Sequence, residues 1–321
     1  MIIDCSNTLP EFRFDGSFEA DPRNSKYVEL FGSTWAQWVG MSKGEFYERL
    51  HSMPQEEVMT DVYQQLQEKL KFEDFLKLLH DHNVVYHAIH NMDYGRDGSV
   101  PPADHDYVAK IMNDNPNQFI GYAGYNPHKG TESLKVVRKA ILEQGYKAVV
   151  IPPYEHGLTA DDRRYYPLYS LCDELGIPIW IHTSINYYND TSVFIDHPRQ
   201  LEKPLMDFKN LKIIAGHGGW PWFNDLLALL MKYENLYVDI SAFHPKYIAK
   251  PNTGWDLFMY YANNLIQDQI VFGSDWVTIG VPLDDVLKEI DNWDLKQEVK
   301  EKLLYKNANC LFQLGLDHEN M

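Results

Sequence analysis

The sequence predicts an α/β fold of the (β/α)8 TIM-barrel type, distorted and carrying a helical insertion after its first strand. Three observations predict it. Short apolar runs rich in β-branched residues recur without polar alternation, as strands covered on both faces require. Each run is followed by residues with helical periodicity. With Ile2-Ile3 included, the runs number eight, which is the count that closes a barrel. A doubly wound open sheet is the competing architecture.

Met1 to Asp4 reads as the first buried strand. The segment from about residue 10 to residue 82 then precedes the next clear strand and reads as an insertion over one end of the barrel, a lid or an oligomer contact. Its first part, with Pro22, Gly32 and scattered aromatics, looks irregular, and Trp35 and Trp38 read as core. Phe46, Tyr47 and Leu50 mark a helix, as do the apolar spacings Val58, Val62, Leu66, Leu70 and Phe75, Leu76, Leu79.

From His82 the alternation is regular. Strand-like runs occupy 84–89, 119–123, 148–151, 178–182, 211–215, 236–240 and 270–272. Helical material occupies 104–113, 131–144, 167–175, 200–208, 225–233, 255–263, 283–290 and 295–312. No Pro/Gly/Ser-rich linker interrupts the chain, so residues 1–321 are expected to form one domain with 10–82 inserted in it.

Hydrophobic residues make up 45% of the 321, enough for a large core. A net charge of −17 disfavours nucleic acid and anionic membranes, which need basic patches. Cys5, Cys172 and Cys310 lie far apart without CxxC spacing, which fits a reducing compartment and argues against a disulfide framework. No run approaches the length of a membrane span, and no basic leader precedes Ile2. A cytoplasmic protein acting on a small molecule is the expectation.

Chemistry in a barrel gathers where strands end. Strand one ends in Asp4-Cys5-Ser6, strand two in His87 and His90, strand five in His182, strand six in His217, strand seven in Asp239, and strand eight reaches Asp275. A lone strand-end histidine is ordinarily structural, and a lone aspartate ordinarily caps a helix. Closure, however, brings strands five, six and eight to one mouth. Imidazole nitrogen and carboxylate oxygen together form the ligand set of a divalent metal that activates water or polarises a carbonyl. The glycines flanking His217 allow close approach of backbone and substrate. His87 and His90 face opposite ways on a strand, which leaves His90 as the mouth candidate. Tyr187, Tyr188 and Trp276 lie in mouth loops, and Tyr187 and Trp276 join His90 as pocket candidates. Neither a phosphate loop nor a Gly-x-Ser-x-Gly elbow is present.

Several motifs carry a resemblance: Pro178-Ile179-Trp180-Ile181-His182, Asp196-His197-Pro198, Leu211 to Gly219, Val238-Asp239, Phe272-Gly273-Ser274-Asp275-Trp276 and Asn307 to Phe312. Together they cover about the C-terminal half, and the sequence resembles the amidohydrolase superfamily. The similar branch includes aminocarboxymuconate-semialdehyde decarboxylase and the resorcylate and vanillate-type decarboxylases. The resemblance implies a distorted barrel and His182 as a metal ligand. It also implies His217 as a substrate-polarising or acid/base residue, and Asp275 as a ligand or general base. Relatives are commonly oligomeric, so a homo-oligomer is implied too.

Family members typically end strand one with Asp-x-His-x-His, which supplies further ligands. Here the run is Asp4-Cys5-Ser6-Asn7-Thr8. Ser6 and Thr8 are poor zinc ligands, so His182 and Asp275 supply two protein ligands where a catalytic zinc usually has three. Asp4, Glu11 or His90 are the residues left to complete the set. Two readings follow. In one, a divalent ion (zinc or manganese) is weakly held, and the enzyme hydrolyses or decarboxylates a small carboxylated or cyclic substrate, with Asp275 moving the proton and His217 stabilising negative charge. In the other the metal is lost, and the same residues act as acid/base groups or bind without catalysis.

Overall fold

The structure is a computed structural model that describes residues 1–15 and 21–316. Residues 16–20 of the inserted segment lie outside the described residues. Eight parallel strands run in sequence order: β1 (Ile2–Asp4), β2 (Val84–Asn91), β3 (Phe119–Gly124), β4 (Ala148–Ile151), β5 (Ile179–His182), β6 (Ile213–Gly216), β7 (Leu236–Asp239) and β8 (Ile270–Val271). The sheet curls until its ends meet, where Cys5 N donates to Phe272 O at 2.8 Å and Asp275 N to Ser6 O at 3.0 Å.

Continuous apolar runs are needed because both faces of every strand are covered. The inner face gathers Ile3, Cys5, Tyr86, Tyr122, Val150, Trp180 and Ile214. The outer face, with Ile89, Val149, Ile181, Ile213, Val238 and Ile270, packs against the helices. Apart from His87 in the middle of β2, charged and imidazole side chains return only at the strand ends. In register, His182 pairs with Gly216 across β5 and β6, and His90 pairs with Tyr122 across β2 and β3.

The seven later strand runs fall where the sequence placed them. The first part of the insertion does not fall as expected: Ser25–Trp38 is a fourteen-residue helix, not an irregular stretch. Gly32 lies inside it because the Phe46 ring occupies that side of the helix, and a Cβ there would meet Phe46 Cζ at 2.4 Å. A one-turn helix, Pro10–Arg13, and a 3-10 turn, Pro22–Asn24, precede that helix, and three further helices follow, Lys43–Ser52, Gln55–Lys69 and Phe72–Asp81.

The insertion docks where it matters for chemistry. Trp35 Nε1 donates to Val277 O at 2.9 Å, Thr34 Oγ1 to Ile279 O at 3.0 Å, and Tyr27 OH to Thr278 O at 3.3 Å. Ser25–Trp38 is therefore stitched to the short helix Trp276–Ile279, which begins one residue after Asp275. Among the described residues no helix is long and apolar enough to cross a membrane.

Candidate active site

Two strand-end carboxyls are consumed by structure. Asp4 is fully buried and ties the ends of the barrel together: its Oδ1 accepts from Ser274 N at 2.9 Å, and its Oδ2 accepts from Ser274 Oγ and from Asn7 Nδ2. Burial pushes its pKa up to about 6 against those donors. Asp239 accepts from His217 N at 3.0 Å, Ser241 N at 2.9 Å, Ser241 Oγ and Trp180 Nε1.

That second network sets the position of His217. Gly216 and Gly218 flank it, but the room they leave is filled by tryptophan rings, not held open for substrate. A Cβ on Gly216 would meet Trp180 Cζ2 at 2.2 Å, and one on Gly218 would meet Trp255 Cη2 at 2.0 Å. The His217 ring stands 5.0 Å from Trp180 and 5.0 Å from His182, edge-on to both. Its φ of +61°, like the +48° of Asp275, is uncommon outside glycine. Both residues are held there by their surroundings, a pattern that clusters at functional sites.

His182 is buried, with Nδ1 3.0 Å from Asp196 Oδ2 and Nε2 3.3 Å from Ser184 Oγ. Tyr154 packs on it at 4.7 Å. His90 completes the imidazoles, 4.7 Å from the same Trp180 ring system and 4.5 Å from Tyr122. Burial pushes His90, His182 and His217 each down to about 3. All three are neutral near pH 7, so the contact between His182 and Asp196 is not an ion pair there.

Asp275 behaves in the opposite sense. Its carboxyl is buried, and burial pushes its pKa up to about 7. A hydrogen bond from Thr278 and the positive charge of Arg13 oppose the shift, while the charges of Asp239 and Asp4 add to it. Arg13 is itself buried, its guanidinium 4.7 Å over the Trp35 ring and 5.5 Å over Tyr63. Sequence reasoning missed this residue. An arginine among aromatics in a segment without clear periodicity gives no signal of proximity to β8.

The other expected residues lie elsewhere. The Trp276 ring stacks on Phe75 and packs 5.7 Å from Trp38, in the layer between barrel and helices. Tyr187 meets Tyr27 and Phe31 edge-on, joining the β5 loop to the insertion. Glu11 is exposed and accepts from Tyr107 OH at 2.6 Å. His87 faces outward, between Phe75 and Phe119. Cys5, not Asp4, is on the interior face of β1.

A divalent metal does not fit this donor set. Asp4 and Asp239 spend their oxygens on hydrogen-bond donors, and Ser6 and Thr8 stand where the resemblance places histidines. Among the described residues no three His, Cys, Asp or Glu side chains converge as a metal site.

Comparison with known proteins agrees with the fold. The profile of the family described as Amidohydrolase matches residues 65–314. The chain is 34% identical over 245 residues to 2-amino-3-carboxymuconate-6-semialdehyde decarboxylase of Dictyostelium discoideum, covering 66% of this chain and 65% of that one. It thus spans slightly less than two thirds of that relative's length. An uncharacterized TIM-barrel protein from Bordetella bronchiseptica superposes with a TM-score of 0.70 at 20% identity, covering 97% of this chain and 98% of that one. A dihydroxybenzoic acid decarboxylase from Polaromonas, solved with manganese and an inhibitor, superposes at 0.61 and 16% identity, covering 86% and 95%. With a family match over most of its length, this chain belongs to the amidohydrolase family.

Proposed function

We propose that the chain is a non-oxidative carboxy-lyase for a small carboxylated substrate, working through its own acid/base side chains. The observation that carries this reading is Asp275: a buried carboxyl at the end of β8, with a pKa near 7 and a buried arginine on its flank. A group of that kind is protonated often enough near neutrality to give up a proton, and anionic often enough to be reloaded. The decarboxylase named for the Dictyostelium relative supports the reaction class.

In the step, the bond between substrate carbon and carboxylate breaks and carbon dioxide leaves. The electron pair it leaves behind takes the Asp275 proton, forming a C–H bond. Asp275 is then a carboxylate, stabilised by Arg13 and by Thr278, until solvent returns the proton. Neutral His182 and His217 orient the polar groups of the substrate through hydrogen bonds. No step is routed through a metal.

Carbon dioxide release from a panel of small unsaturated and aromatic carboxylic acids tests the reading. We expect turnover of at least one, reduced about 10²- to 10⁴-fold by Asp275→Asn, a side chain that tolerates the positive φ. Cleavage of esters or amides without carbon dioxide would move the reading to a hydrolase. Unchanged turnover in Asp275→Asn would remove Asp275 as the acid.

A further inference from the structure

A column of side chains leads from His182 to the surface. Tyr154 packs on His182, the Tyr188 ring stands edge-on to Tyr154 at 5.2 Å, and the Arg23 guanidinium lies 4.2 Å over Tyr188. Arg23 belongs to the turn Pro22–Asn24 of the insertion. Its carbonyl accepts from Asn189 N at 3.1 Å, and the Pro22 carbonyl accepts from Asn189 Nδ2 at 3.3 Å. The turn thus grips the loop after β5. Arg96, from the loop after β2, holds the same loop through both oxygens of Asp190, each at 3.0 Å. Asn189 and Asp190 are exposed, and contacts of that kind hold little against competing water and salt.

The inner fastening is of another sort. Glu155, in the one-turn helix Pro153–His156 after β4, is buried and accepts the Tyr188 hydroxyl. The other charged and titratable groups around it are Arg23 and Asp21 from the insertion, Arg96 from the loop after β2, and Tyr154 beside it. His156 is turned away, to the Tyr165 hydroxyl and the Asp93 carbonyl. Arg23 Nη2 stands 3.9 Å from Glu155 Oε2, beyond hydrogen-bond reach, because its fork is closed on Asp21 at 2.8 and 2.5 Å. Burial therefore prevails and pushes the Glu155 carboxyl up to about 7, against the Tyr188 hydrogen bond and the Arg23 charge.

We propose that residues 21–24 and 186–191 form a strap over the mouth at His182, closed while Glu155 is protonated and loosened when it ionises. Solvation sets the direction. In the closed strap the carboxyl is dry; in the open one it meets water and returns to its ordinary 4.5. The closed form binds the proton more tightly, so the ratio of open to closed rises about 10²-fold between those two values and is level beyond them. Closure thus coincides with the pH range in which Asp275 keeps its proton, and water is excluded while that acid is loaded.

Hydrogen exchange at the Asn189 backbone amide reads the strap directly, because its acceptor is Arg23 O. The measurement is made on the full chain without substrate, at pH 5 and pH 8, each rate being divided by the intrinsic rate at that pH. Protection of Asn189 should be about 10- to 100-fold greater at pH 5. Ile213 N, donated to Asn235 O beside the sheet, should show no gain there. Glu155→Gln, whose amide oxygen still accepts from Tyr188, should abolish the gap and leave the strap closed at both values. Tyr188→Phe removes a donor to the ionised carboxylate and should extend the rise in opening to higher pH; it also covers a Gln variant that does not fold. Equal protection at the two values, greater protection at pH 8, a gap that persists in Glu155→Gln, or an equal gain at Ile213 each overturns the strap. Because no substrate is present, the absence of carbon dioxide release leaves these outcomes intact and removes the carboxy-lyase reading alone.

Discussion

His217 Nδ1 lies 2.6 Å from the Ser241 hydroxyl, which in turn donates to Asp239, and this contact decides which nitrogen of the imidazole carries hydrogen. Asp239 also fixes the His217 backbone through its N–H. One carboxyl thereby sets both the place and the tautomer of the ring, with Ser241 as the intermediary.

Ser241→Ala breaks the link without touching either partner. Asp239 loses one of its four donors and His217 Nδ1 loses its acceptor. Stability should fall by about 1–3 kcal/mol, read from denaturant unfolding, and kcat should fall about tenfold as the ring samples both tautomers. Ser241→Thr, which keeps the hydroxyl, should recover most of the activity. A Thr variant as impaired as the Ala variant would show that packing, not the hydrogen bond, is what matters.

Arg13 makes a prediction about pH. With Asp275 as the acid of the proposed reaction, kcat should be highest at low pH and fall as pH rises through its pKa of about 7. Arg13 lowers that pKa. Arg13→Gln should therefore move the alkaline limb of the kcat profile upward, by about one unit, while lowering the plateau because the product carboxylate loses its cation. A limb that stays in place would mean that Asp275 is not the group being titrated.

His87 should be one of the groups that lower acid stability, alongside the other buried histidines. Its ring is buried without a partner, and burial holds its pKa at about 3 against an ordinary 6.5. Between those values the unfolded chain binds a proton that the folded chain does not. The stability this neutral ring permits is complete above 6.5 and is lost as pH falls toward 3. His87→Leu removes that liability and should gain about 2 kcal/mol on the wild type near pH 5 relative to pH 7, measured by unfolding at both values. A gap that does not change with pH would refute the assignment.

Metal content is the fourth check. Elemental analysis of protein purified without chelator should find zinc and manganese well below one per chain, and dialysis against a chelator should leave the melting temperature unchanged. One tightly held ion per chain would show that side chains converge on a metal in a way Asp4 and Asp239, with their oxygens already taken, do not allow here.

The eight strands were legible because a parallel strand buried on both faces must be apolar throughout, and the polar residue that ends such a run marks the mouth. His182, His217 and Asp275 stand at such ends, as do Asp4 and Asp239, whose oxygens the structure spends on hydrogen bonds. The partners of those residues were not legible. Ser241 reaches back to His217, and Arg13 comes within electrostatic range of Asp275, only after the sheet has curled. Trp276, one residue beyond Asp275, turns away toward Trp38 and Phe75. Gly32 reads as a breaker until Phe46 is placed beside it. Local pattern settles which residues must be inside, because burial is a property of the single side chain. Tautomer, charge and orientation depend on groups remote in sequence, and only the closed barrel brings those within a few ångströms.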